Sequence, residues 1–259
     1  MRDRARSADR RLGLCVSLAW LTLSAAAPAH AIVGGTSHQG PLSRATVMVL
    51  AAGGGMCTAV AVARDAVLTA AHCVTGAREH RVHFRDETGQ PTFIEPTDKA
   101  VHPGFDAKAI EARRRSIDLA LLRLPQPLPA RFGTATLTAM SARRGVLLAI
   151  GGYGVAREGE ARSTGTYRVV RVPVVEPHGP SRILVWASGA EHGGAGACEG
   201  DSGGPITLDG EGSVLAITTW ATGVKGRTCG QYSQGVLLAP QRGWIDATLA
   251  RWGASANWQ

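Results

Sequence analysis

The chain has 259 residues, 44% hydrophobic and 19% charged, with 33 Gly and only 5% aromatics. That balance is ordinary for a globular protein and favours a turn-rich β chain with a core of useful size over a helical one. The formal charge of +8 comes without a Lys/Arg stripe interleaved with aromatics, so nucleic acid is not an expected partner.

In chain order, a basic head (Arg2, Arg4, Arg6, Arg10, Arg11) precedes the apolar run Leu12–Leu23, and Ala29-His30-Ala31 has small residues where a secretory signal is cut. The run is shorter than the roughly 20 apolar residues of a membrane span. Residues 1–31 are therefore expected to be a signal peptide. The mature chain would be secreted or periplasmic, without a membrane anchor, and would begin Ile32-Val33-Gly34-Gly35. Its loss lowers the formal charge to +5 and removes Cys15. Cys57, Cys73, Cys198 and Cys229 remain, and an even number in an exported chain predicts two disulfides. No CxxC spacing suggests zinc, and neither metal nor cofactor is expected. Asp86 and Glu95 bound either a calcium loop or an ordinary acidic turn, which the sequence does not separate.

Short apolar runs between Gly, Pro and charged turns predict strands at 45–50, 58–63, 66–71, 118–124, 145–152, 167–175, 183–188, 213–222 and 234–239. Residues 239–252, with Trp244, Ile245, Leu249 and Trp252 near helical spacing, predict a closing amphipathic helix. Strands so spaced, with little helix between them, indicate an all-β sandwich or barrel.

Three stretches carry chemistry. CEGDSGGP (198–205) sets Ser202 among glycines that let backbone approach a ligand. LTAAHC (68–73) sets His72 at the end of an apolar strand. SIDLALLRL (116–124) sets Asp118 at the start of another, where a carboxylate needs a partner. Nucleophile, base and orienting acid are the parts of acyl transfer. The plain competitors are a core or capping His72, Asp98 or Asp106 in place of Asp118, and a Ser202 that only fills a turn.

Together with IVGG at 32–35, GGYGV at 151–155, TTW at 218–220 and the closing WI, these stretches resemble the trypsin/chymotrypsin serine endopeptidases over the whole mature chain. The resemblance implies two packed six-stranded antiparallel β-barrels, roughly 32–135 and 136–259, with the active site between them. It implies a monomer acting on protein or peptide substrates, the triad His72, Asp118 and Ser202, and an oxyanion hole from the N–H groups of Gly200 and Ser202. It pairs Cys57 with Cys73 and Cys198 with Cys229. It also implies that the freed ammonium of Ile32 pairs with Asp201. Because Ala31 rather than Arg or Lys precedes Ile32, signal removal is expected to activate the chain directly.

By the same resemblance Gly196, Ala197, Ala221 and Gly235 line the S1 pocket. With Gly196 where a trypsin has Asp, small or medium neutral side chains are expected at the scissile position. Lys225 or Arg227 could cover that pocket, and Arg113-Arg114-Arg115 is either a solvated loop or a subsite for acidic residues. Thr219 stands where a Ser usually bonds the triad Asp. The competing classes are a catalytically weak protease-like binding protein acting through its basic surface, and an α/β hydrolase. GDSGG does spell GxSxG, but the order His, Asp, Ser is wrong for the latter.

Overall fold

A computed structural model describes residues 32–76, 79–109, 112, 114–209, 212–224 and 226–259. The signal peptide expected over 1–31 lies outside them. No helix among these residues is long and apolar enough to cross a membrane.

The described chain begins with β1 (Thr36–Ser37) and the short α1 (Pro41–Arg44). The first sheet then holds β2 (Thr46–Ala51), β3 (Met56–Ala63), β4 (Ala66–Thr69), β5 (His80–Arg85), β6 (Pro91–Ile94), β7 (Asp98–Val101) and β8 (Ala120–Arg123), with α2 (His72–Thr75) between β4 and β5. Its order is β6-β5-β2-β3-β4-β8-β7. Successive side chains of a strand point to opposite faces, and in β3, β4 and β8 both faces are covered. Val60, Val62, Leu68, Leu119 and Leu121 enter one apolar cluster, while Ala59, Ala61, Val67, Ala120 and Leu122 enter another. That is why these strands read as unbroken apolar runs.

The second sheet holds β9 (Thr136–Leu137), β10 (Leu147–Gly152), β11 (Arg168–Val175), β12 (Leu184–Ser188), β13 (Pro205–Leu208), β14 (Val214–Thr222), β15 (Tyr232–Leu237) and β16 (Asn257–Trp258). The path β13-β10-β11-β12-β15-β14 closes because β14 also pairs with β13, giving a six-strand barrel. β1 joins it along β11. The closing helix α3 (Arg242–Arg251) buries Ile245 and Leu249 in a cluster that also holds Leu68 and Leu121 of the first sheet and Val214 and Ile217 of the second. That shared core joins the two lobes.

The expectation of two closed barrels holds for the second lobe only. In the first, β6 and β7 are the outer strands, joined by Glu95-Pro96-Thr97, and no ladder pairs them. Pro96 has no N–H to offer a ladder, and the N–H of Thr97 turns to the carbonyl of Arg123 on β8. The sheet is a half-barrel. Strands β5, β6, β7 and β13 and the two-residue β1, β9 and β16 were not among those predicted. The expected strand over 66–71 stops at Thr69, and α2 begins at His72.

Candidate active site

His72 is the first residue of α2, and the Cys57–Cys73 disulfide ties that helix to β3. Asp118 lies two residues before β8, the strand paired with β4. Both of its oxygens go to His72. The backbone N–H of His72 donates to Oδ1 at 2.8 Å, and Nδ1 lies 2.6 Å from Oδ2. The Asp118 side chain is 15% exposed and that of His72 41%, so the carboxylate is sheltered while the ring reaches the surface. With Nδ1–H given to the carboxylate, Nε2 is left as the basic nitrogen. His72 and Ser202 line the same cleft, of about 560 Å³, with Met56, Glu199 and Gly200 on its walls. Ser202 Oγ makes no hydrogen bond among the described residues. Such contacts are often long before substrate binds.

The Gly-rich stretch that carries Ser202 is fastened to β3 through the fully buried Thr58. The Thr58 N–H donates to the Ser202 carbonyl at 2.8 Å, its hydroxyl donates to the Gly200 carbonyl at 2.8 Å, and it accepts the Tyr153 N–H at 3.1 Å. A Cβ on Gly203 would fall 1.9 Å from the Thr58 carbonyl, which is why only glycine fits there. With the Gly200 and Ser202 carbonyls so engaged, no acceptor among the described residues takes the N–H of either residue.

Asp201 is completely buried. Its Oδ1 accepts the Gly154 N–H at 2.8 Å and its Oδ2 the Cys198 N–H at 2.9 Å. Burial pushes its pKa up to about 7, against the pull of those two bonds and of Arg168. Ile32 is also fully buried, packed with Leu148, Ile150, Val170 and Val172. Val33, next in the chain, bridges to Gly196, whose N–H it accepts at 2.9 Å. Ile32 has φ +52°, a value β-branched residues seldom adopt. Its nitrogen is still an amide here, bonded to Ala31, so the ion pair expected with Asp201 belongs to a cleaved chain.

The trypsin family profile matches residues 32–237, which include every residue named in this site. The chain belongs to the trypsin family. It is 25% identical to trypsin-3 of Salmo salar over 71% of its length and 79% of the relative's. It is 27% identical to the vitellin-degrading protease of Bombyx mori, covering 78% and 80%. Among solved structures it superposes on neuropsin, a serine protease of mouse brain, with a TM-score of 0.68 at 23% identity, covering 84% of this chain and 99% of that one. These relatives identify it as a serine endopeptidase.

Within this trypsin-family chain, two of the four residues expected at S1, Gly196 and Ala197, lie against the Ser233 hydroxyl, and the other two, Ala221 and Gly235, against apolar side chains. Ala197 is fully buried and gives its N–H to Ser233 Oγ at 2.9 Å. Gly196 lies against the same hydroxyl, which a Cβ would approach to 2.9 Å. Ala221 packs at the margin of the cluster holding Ala197, Ala216 and Ile206. Gly235 is paired between β12 and β14, and the place of its missing side chain is filled by Ile206 Cδ1, 2.5 Å away. Asp201 is the sole buried carboxylate among the described residues, and its oxygens are already engaged.

Several weaker expectations are redirected. The Thr219 hydroxyl bonds Gln234 Oε1 at 3.3 Å and not Asp118. Arg227 pairs with Glu158 at 3.2 Å, and Glu158 also accepts from the backbone N–H and the hydroxyl of Thr228. Lys225 and Arg113 lie outside the described residues. Arg114 is held by Asp106, to which its Nε donates at 3.0 Å. Asp86 Oδ1 is taken by its own turn, through Thr88 and Gln90, and Glu95 pairs with Arg81 at 3.3 Å, so they share no site.

Two residues had escaped notice. Thr58 carries no motif that marks it. Arg168 does leave a signal, because it shares a strand face with Val170, Val172 and Val174, all core residues. A cation at the end of an apolar stripe calls for an anion.

Proposed function

We propose that this trypsin-family chain is an exported endopeptidase that cleaves peptide bonds through Ser202, His72 and Asp118. The observation that carries the reading is the pair of hydrogen bonds between Asp118 and His72, which, with Nδ1–H given to the carboxylate, leaves Nε2 as the free base on a ring that lines one cleft with Ser202. In the proposed reaction Ser202 Oγ attacks the scissile carbonyl while Nε2 takes its proton, and Asp118 stabilises the imidazolium. The new oxyanion enters between the N–H groups of Gly200 and Ser202, each such donor being worth about 10²–10³ in turnover. The amine leaves with the proton from His72, and water releases the acyl group by the same route.

Cleavage after Ala31 frees the ammonium of Ile32, which then joins Asp201 in the buried pocket. The same cut removes the carbonyl carbon that defines φ of Ile32, and so relieves a strained torsion. No propeptide stage is needed. At the S1 position Gly196, Ala197, Ala221 and Gly235 bring no carboxylate, only the neutral Ser233 hydroxyl and apolar side chains, which disfavours Arg or Lys because burying a cation without a partner is costly. The Ala221 methyl narrows the entrance and favours small or medium aliphatic residues over large aromatics. Profiling the processed protein on a peptide library tests this. Cleavage after Ala, Val or Leu is expected, and a profile dominated by Arg and Lys would refute it.

A further inference from the structure

Arg168 and Asp201 are placed on one side of the barrel by strand register alone. Gly152 on β10 and Arg168 on β11 are directly opposite partners. Side chains of such partners leave the sheet on the same face, with their Cβ atoms about 4.5–5.5 Å apart. Gly152 has no side chain, and the place its Cβ would take lies 2.2 Å from Asp201 Oδ1. The buried carboxylate thus occupies the position of a cross-strand neighbour of Arg168. Burial works against the charge of Arg168, while Asp201 favours it, and Arg168 favours the ionised form of Asp201 in turn. The guanidinium also donates to the Thr166 carbonyl at 3.5 Å. The arrangement exists while Ile32 is still joined to Ala31.

We propose that Arg168 is a positioning residue that supplies Asp201 with positive charge before the Ile32 ammonium is free, so that the loop 198–204 is already ordered in the uncleaved chain. This rests on the endopeptidase reading above. It adds that cleavage strengthens an assembled site rather than creating one. Arg168 acts through Asp201 and does not touch substrate.

The test uses the full-length chain made in an oxidising cell-free mixture without signal peptidase, compared with the same chain after processing by purified signal peptidase. In the uncleaved chain, Arg168→Met is expected to lower kcat by about tenfold or more with little change in KM, the scale of coupling between neighbouring groups. In the processed chain the loss is expected to be under about threefold. Arg168→Lys should restore most of the activity in both forms. Arg171→Met, on the outward face of the same strand where Arg171 meets Asp209, should change neither. Amide exchange gives a readout independent of turnover. The N–H groups of Cys198, Gly203 and Gly204, bonded to Asp201 Oδ2, Thr218 and Asp201, should be protected in the uncleaved wild type, lose protection in Arg168→Met and keep it in Arg168→Lys. An uncleaved wild-type chain with neither activity nor protection, equal losses in both forms, or a Lys variant as impaired as Met would each overturn the proposal. A processed wild type that is protected yet inactive would instead refute the endopeptidase reading.

Discussion

At Thr58 a single side chain receives the Tyr153 N–H and donates to the Gly200 carbonyl, so Thr58→Val leaves both of those backbone groups without partners. Each buried group so orphaned costs about 1–3 kcal/mol. The variant is expected to melt at a lower temperature and to lose kcat with little change in KM, as thermal unfolding and steady-state kinetics will show. Asp118→Asn keeps the shape but offers an amide where the imidazole needs an acceptor. A fall in kcat of about 10⁴-fold is expected from the wrong tautomer; a loss below tenfold would mean that Asp118 does not orient the ring. His72 and Asp118 were visible in the sequence because each interrupts or borders an apolar run, and Ser202 because it stands among glycines. Thr58 was not, since a Thr within a β-strand contradicts nothing. The partner of Thr219 was not legible, because its hydroxyl bonds Gln234, which comes from a paired strand and not from a nearby sequence position.

The loop 198–204 is held by a carboxylate whose ionisation the fold resists. In the uncleaved chain burial lifts the pKa of Asp201 from 3.8 to about 7. Between those values the folded chain keeps a proton that the unfolded chain has released, so its stability falls as pH rises across that window. The groups that oppose this lift are the N–H donors of Cys198 and Gly154 and the charge of Arg168. Melting curves of the uncleaved wild type and of Asp201→Asn, taken from pH 4 to 7.5, should therefore differ in slope, the wild type losing stability relative to Asn as pH rises. Parallel curves would refute this. After cleavage the added ammonium is expected to flatten the difference. At this scale the apolar strands β2–β4, β8, β10–β12, β14 and β15 were legible to within a few residues, because a run buried on both faces or alternating between faces announces itself. Strands β5 and β7 were missed because His80, Arg81, His83, Asp98 and Lys99 hide the pattern. His80 and His83 are buried all the same, and His83 stacks on Phe93 at 4.7 Å.

Across the whole molecule, two lobes meet over a shared apolar cluster, and the two crosslinks Cys57–Cys73 and Cys198–Cys229 each sit beside one half of the site. Replacing both Cys57 and Cys73 by Ala should cost about 3 kcal/mol, the chain-entropy value for a loop of some 15 residues. It should also loosen α2, so the loss of kcat should exceed that of a surface variant of equal stability; denaturant titration and kinetics check both. Composition and periodicity reached only an exported all-β chain with Ser, His and Asp at hand. The resemblance of its motifs supplied the lobes, and it overstated the first, where Pro96 sits at the turn between the unpaired edges. Labelling the processed protein with a fluorophosphonate and mapping the adduct tests the central claim most directly. The label is expected on Ser202 and is expected to vanish in His72→Ala. Folded protein that takes no label, or a label that stays when His72 is gone, would contradict a nucleophile made reactive by that imidazole.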